Sequence, residues 1–316
     1  MKNILFLACA LLSTQAFAQA AFPPPPPKVS PAVGVIDMHT HSHPDVFGRN
    51  IDDIDLATLA KARGMRGIVL KNHISETASR AALTMKAVPG IEVFGGIVLN
   101  NAVGGINPAA VEWMHRFYGS RGKVVWLPTF ESDKHVKTFS KPDAKGIVVA
   151  PGGKVIPQME EILKIIAREN LLLATGHVHP EEVVAVVKRG KELGVKNMII
   201  THGLTNVPGL SWAQAKEVTQ LGAVIEICFL QFQAGPNAPL PFLVHWQNVG
   251  AKQVAQAIKE LGAASLVVST DLGQSSNMVH PDGVEAAIGA MKREGISDAD
   301  IDAMMRKNPA RLLGLN

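Results

Sequence analysis

The chain has 316 residues, 47% hydrophobic, 18% charged and 5% aromatic, the balance of a globular protein able to bury a sizeable core. Its formal charge of +4 and pI near 9.0 are mild, and no Lys/Arg block or aromatic-interleaved basic stripe appears, which sets nucleic acid aside as a partner. A small-molecule substrate is the expected partner, and formation of a homo-oligomer stays open.

The N-terminus reads as a targeting segment. Lys2 precedes an apolar stretch from Ile4 to Leu12, and Ala16-Phe17-Ala18 supplies a small-x-small cleavage site, with Ala18-Gln19-Ala20 as a second. Residues 1–20 are therefore expected to be a signal peptide, delivering a periplasmic or secreted protein. The apolar run is too short to span a bilayer, and no membrane span is expected elsewhere. Cys9 falls too early in the run for a lipoprotein site. Its removal leaves Cys228 alone, so no intrachain disulfide is expected. Residues 23–27 are all proline, giving a stiff spacer over 21–32. A single domain then occupies 33–316.

From there apolar runs alternate with helical patterns. The strand-like runs are Val33–Met38, Gly67–Leu70, Ile91–Leu99, Val124–Leu127, Leu171–Thr175, Met198–Thr201, Ala223–Phe229 and Ser265–Thr270. Between them, Met159, Ile162, Leu163 and Ile166 follow helical spacing, as do Val254, Ala257, Ile258 and Leu261. Pro157 suits a first turn, and Gly194 and Gly262 suit helix ends. The strands are continuous Val/Ile/Leu runs rather than alternating ones, the mark of a parallel sheet covered on both faces. Eight such units predict an α/β protein, a (β/α)8 TIM barrel. A doubly wound open sheet is the alternative, but no glycine-rich phosphate fingerprint follows the first strand.

Chemistry in such a barrel collects where the strands' C-terminal ends meet. The first strand ends in His39-Thr40-His41, two imidazoles leaving one face of a strand. The second runs into Lys71, with His73 just beyond. The fourth leads to Glu131 and then His135, the fifth ends at His177, the sixth at His202, and the eighth at Asp271. Any one of these residues alone fits a surface or capping role. Their repetition at six strand ends points instead to a metal site. Imidazole with a minority of carboxylate suits Zn2+, one ion or two, with other divalent transition metals as substitutes.

On these residues the chain resembles the amidohydrolase superfamily, from Asp37-Met38-His39-Thr40-His41 to the closing segment Asn308-Pro309-Ala310-Arg311-Leu312-Leu313-Gly314. The resemblance implies a metal-dependent hydrolase that cleaves an amide, lactone or ester. It implies that His39, His41 and Asp271 hold one metal and His177 and His202 a second. The bridging ligand in such enzymes is usually a carboxylated lysine or a glutamate on strand four. Here strand four lacks a lysine, leaving Lys71 or Glu131 for that place. Asp271 is the expected proton shuttle for attack by metal-activated hydroxide, the metal lowering the pKa of bound water from about 15.7 towards about 7. His73 and His135 are the expected substrate contacts.

Of the remaining histidines, His43 and His179 precede prolines and read as supporting or surface residues, and His115 as solvated. His245 and His280 fall in the loops after strands seven and eight. Glu226, a carboxylate inside an apolar strand, requires a polar partner within the barrel, and residues 231–241 read as an irregular rim. Residues Asp37–Ser42 also resemble the opening of the PHP phosphoesterases. Those close with Asp-x-His, where this chain has Asp271-Leu272-Gly273. A PHP-type phosphoesterase and a non-catalytic metal- or ligand-binding barrel are the alternatives.

Overall fold

The computed structural model of the protein describes residues 29–315; the expected signal peptide and the proline run lie outside the described residues. Eight parallel strands follow one another in chain order around a single sheet. They are β1 (Ile36–Thr40), β2 (Gly67–Leu70), β3 (Glu92–Val98), β4 (Gly122–Trp126), β5 (Leu172–Ala174), β6 (Asn197–Ile200), β7 (Val224–Cys228) and β8 (Leu266–Ser269). Each falls within a few residues of an expected run. The seam between β8 and β1 closes just past the strand ends. There Asp271 N–H donates to the His39 carbonyl at 2.8 Å and His41 N–H to the Leu272 carbonyl at 3.0 Å. Asp37 stitches the same seam with its side chain, accepting from Thr270 N–H at 2.9 Å and from the Thr270 hydroxyl. The result is a (β/α)8 barrel.

Two apolar layers build it. Alternate strand residues Val69, Val124, Leu172, Ile199, Val224 and Val267 pack inside the barrel, and the closing segment plugs its lower end with Ala310, Leu312 and Leu313. The other set, such as Ile68, Val125, Ile200 and Ile225, packs outward against the helices. Burial on both faces explains why the strands read as continuous apolar runs. The helix Pro157–Arg168 buries Met159, Ile162, Leu163 and Ile166, with Pro157 in its first turn. The helix Ala251–Leu261 buries Val254 and Ala257. Among the described residues, no helix is long and apolar enough to cross a membrane.

One irregularity positions the chemistry. In β1, Ile36 and Met38 belong to the interior layer, so strict alternation would send His39 and His41 outward. The register with β2 shifts between Asp37 and Thr40. This offset turns the next two odd-numbered side chains inward, the use to which bulges beside functional sites are commonly put.

Candidate metal centre

The strand ends deliver their polar side chains to one point. His39 Nε2 lies 3.0 Å and His41 Nε2 3.2 Å from the same Asp271 Oδ1, while His202 Nε2 lies 3.5 Å from Asp271 Oδ2. Lys71 Nζ reaches His39 Nε2 at 2.9 Å. The His177 ring lies 5.2 Å from that of His202, centroid to centroid, and its Nδ1 meets His135 Nδ1 at 2.9 Å. His39, His41, Lys71, His177, His202 and Asp271 are all buried. All of these but His39 form the floor of a cavity of about 860 Å³ whose apolar wall includes Phe130, Phe139, Leu243 and Trp246. His39 lies just beneath that floor.

The backbone is bent to achieve this. His202 and Asp271 take φ values of 52° and 55°, the left-handed region that side chains other than glycine's enter at a cost. Surrounding bonds hold them there. The His202 carbonyl accepts from Thr205 N–H at 3.0 Å, and the Asp271 carbonyl accepts from Gln274 Nε2 at 2.8 Å. Gly273 must be glycine for two reasons: its φ is 125°, and a Cβ there would run into the His41 carbonyl.

Electrostatics divide the floor. Burial holds His41 and His177 well below the ordinary histidine range and lowers His202 to about 4, so these rings are neutral near pH 7. Burial also opposes the charged form of His39, but the flanking Asp271 and Glu226 carboxylates outweigh it and raise its pKa. Asp271 would be raised by burial, yet His39 and His41 hold it well below the carboxylate range. Burial lowers Lys71, against the pull of Asp271 and Glu226.

The donor set fits a divalent transition metal. Ligand atoms of His39, His41 and Asp271 lie within 4.8 Å of one another. The buried His177 Nε2 and His202 Nδ1 have no hydrogen-bond partner, an arrangement that is costly unless something else satisfies them. Neutral imidazoles around a carboxylate are the ligands zinc takes.

The other expected residues are spread around this floor. His73 lines the cavity, stacked on His41 with centroids 4.8 Å apart, and its Nδ1 meets Thr129 Oγ1 at 2.9 Å. His135 lines the opposite side, between His177 and Phe139, with burial lowering its pKa to about 4. Glu131 is not brought to the cluster. After β4 the chain turns at Phe130–Glu131, and the Glu131 carboxylate accepts from Asn101 N–H at 2.6 Å, outside the cavity lining. His280 is not a loop residue: it opens the helix His280–Arg293, fully buried, with Nε2 meeting the Leu272 carbonyl at 2.8 Å. His245 does line the cavity, on the short helical turn Pro241–His245 that follows the expected irregular rim.

Sequence reasoning passed over Arg49 and Trp246 and saw only the need of Glu226 for a partner. Arg49 lines the cavity, with Nη2 3.3 Å from His41 Nδ1 and Nε donating to Asp45 at 2.8 Å. It follows the His-x-His pair by eight positions in a loop, where no periodicity marks it. Trp246 stacks on Phe139 and edges against both His177 and His202.

Residues 34–226 match the protein family described as "Family of unknown function (DUF6282)". The chain belongs to this family. No curated protein matches the sequence. Among solved structures, the organophosphorus hydrolase from Deinococcus radiodurans is similar at 17% identity, with 89% of this chain and 93% of that one covered and a TM-score of 0.59. A structure titled "Molecular Engineering of Organophosphate Hydrolysis Activity from a Weak Promiscuous Lactonase Template" is similar at 16% identity, covering 90% and 97%, also with a TM-score of 0.59. At such identities the likeness shows the fold alone, a (β/α)8 barrel.

Proposed function

We propose that this protein is a metal-dependent hydrolase acting on an amide, lactone or ester. One observation carries the proposal: His39, His41, Lys71, His177, His202 and Asp271 arrive from five different strand ends at one buried floor under an open cavity. His39, His41 and Asp271 would hold one divalent ion, and His177 and His202 a second, with zinc the first choice. When bound, such an ion acts as a Lewis acid, acidifying water and polarising the bond to be cleaved. Lys71, as the carbamate its amine would form with carbon dioxide on loss of a proton, would be a further ligand at this floor, since the Glu131 side chain is committed to Asn101 N–H.

The remaining chemistry belongs to the chain's own groups. Asp271 Oδ1 is occupied by His39 and His41, whereas Oδ2 has only His202, at 3.5 Å. That oxygen accepts the proton released by the attacking water and returns it to the leaving group. His73 and His135 flank the floor from opposite sides and orient the substrate by hydrogen bonds. Phe130, Phe139 and Trp246 pack its apolar part and exclude water. The similar structures, an organophosphorus hydrolase and one engineered for organophosphate hydrolysis from a lactonase template, support a hydrolytic reading of the cavity. The N-terminal pattern of residues 1–20 supports export.

The test is reconstitution. Chelator-treated protein is expected to lose hydrolysis of a lactone, ester and amide panel and to regain it with zinc, manganese or nickel. Labelling with 13C-bicarbonate is expected to give a carbamate signal that Lys71→Ala abolishes. A protein that retains less than one equivalent of any of these ions after reconstitution would overturn the proposal.

A further inference from the structure

The interior of the barrel below the metal centre should be apolar, and around most of the wall it is. On the side formed by β7 and β8 it is not. Val224 is followed two residues later by Glu226 and then Cys228 on the inward face of β7, and Val267 is followed by Ser269 on β8. The register sets Glu226 beside Val267 and Cys228 beside Ser269. Glu226 is 2% exposed. A carboxylate so deep costs several kcal/mol unless its oxygens are satisfied, and both are. Oε1 accepts from the Ser269 hydroxyl at 2.6 Å, and Oε2 lies 3.3 Å from His39 Nδ1. The Cys228 thiol packs against the same two groups, 3.7 Å from His39 Nδ1 and 3.3 Å from Ser269 Oγ.

His39 is therefore read from two sides. Its Nδ1 faces Glu226, below the floor. Its Nε2 faces Asp271 and Lys71, at the floor. Turning the ring over would put a carbon against the Glu226 carboxylate and leave that charge half-paired in the core, so the ring has one orientation. We propose that Glu226 is a positioning residue for the metal centre: it holds the Nδ1 proton of His39, so that the Nε2 lone pair is presented to an ion shared with His41 and Asp271. This rests on the metal-centre reading above and adds to it a ligand-orienting carboxylate on β7. Such a partner also makes the imidazole a more basic ligand, and removing one typically costs about 10- to 100-fold in metal affinity. Ser269 in turn fixes the carboxylate.

The experiment uses the full mature chain and zinc itself. Zinc affinity is measured by competition with a chromophoric chelator for wild type and for Glu226→Gln, which keeps the size and an acceptor but loses the charge. The expected result is a fall of about 10- to 100-fold in affinity, with the melting temperature of the metal-free protein little changed. Long-range 1H–15N spectra of histidine-labelled, zinc-loaded wild type supply a second readout that does not depend on the variant folding. They are expected to show His39 protonated at Nδ1 and ligated through Nε2. Zinc affinity in Glu226→Gln within twofold of wild type, or ligation of His39 through Nδ1, would overturn the assignment of Glu226. A wild-type protein that binds no zinc would overturn the metal-centre reading itself.

Discussion

The two halves of the metal-centre floor are built from the same residue type and held in opposite ways. On the β8–β1–β2 side, every imidazole has a charged neighbour: His39 has Glu226 and Asp271, and His41 has Asp271 and Arg49. On the β5–β6 side the support is mostly neutral. His177 Nδ1 meets only another imidazole, that of His135, and His202 has a single charged neighbour, Asp271 Oδ2, 3.5 Å from its Nε2. A charged, hydrogen-bonded shell fixes its ligands before any ion arrives, and its members are costly to remove. A neutral one leaves ring orientation and affinity open to adjustment. On the proposed function, the first half is the tighter, permanent ion site and the second the weaker, more exchangeable one.

The largest effect is expected at Asp271, the carboxylate that joins the halves. Asp271→Asn keeps the size and an acceptor for His39 and His41 but removes the base. Turnover is expected to fall about a hundredfold or more, the usual scale for general acid–base catalysis, while most metal is retained by plasma emission analysis. Full turnover with full metal would remove Asp271 from the mechanism. A smaller but still large effect is expected at Asp37, which belongs to the charged half only through the seam. Asp37→Ala leaves the buried Thr270 N–H without its acceptor and the Thr270 hydroxyl with only the longer contact to the His39 carbonyl, and urea denaturation should show a loss of about 1–3 kcal/mol. Stability within about 0.5 kcal/mol of wild type would mean that the seam does not depend on it.

On the neutral side, His135→Phe preserves the stack with His177 and Phe139 but removes the nitrogen. The weaker zinc equivalent should lose about tenfold in affinity by calorimetric titration and the tighter one should hold. Equal weakening of both would erase the distinction between the halves. The smallest effect concerns Asp133, the fixed charge behind this half, whose carboxylate meets His179 and Lys137. Burial would raise its pKa, but Lys137, His179 and the Gly146 N–H outweigh that and hold it at about 2. A depressed carboxylate stabilises the fold above its ordinary value of 3.8, and that contribution is lost as pH falls from there towards 2. Thermal melts across this window should therefore drop more steeply for wild type than for Asp133→Asn; parallel curves would contradict the pairing.

The barrel was legible because burial on both faces leaves a continuous apolar run in each strand, and because glycine and proline mark where helices start and stop. The clustering of the strand-end residues was legible for a related reason: in this fold a residue's position at a strand end fixes its place in space, so the convergence of His39, His41, Lys71, His177, His202 and Asp271 could be read in one dimension. That logic fails one step into a loop. Glu131 stands only a few residues beyond its strand, yet the turn at Phe130–Glu131 carries its side chain to Asn101 N–H and out of the cavity. Arg49, Trp246 and the helix that starts at His280 depend on loop paths that carry no period. Glu226 declared itself only as a charge in an apolar strand. Its partner His39 lies 187 positions away, a pairing that follows from barrel closure and from the register shift in β1, neither of which is visible in the local sequence.

Anomalous diffraction at the zinc edge, from crystals grown with limiting and then excess zinc, asks whether one buried floor with unequal halves holds divalent metal. A first peak is expected among His39, His41 and Asp271, and a second, beside His177 and His202, only in excess. No peak at this floor in excess zinc, or a first peak beside His177 and His202, would overturn the proposed metal centre.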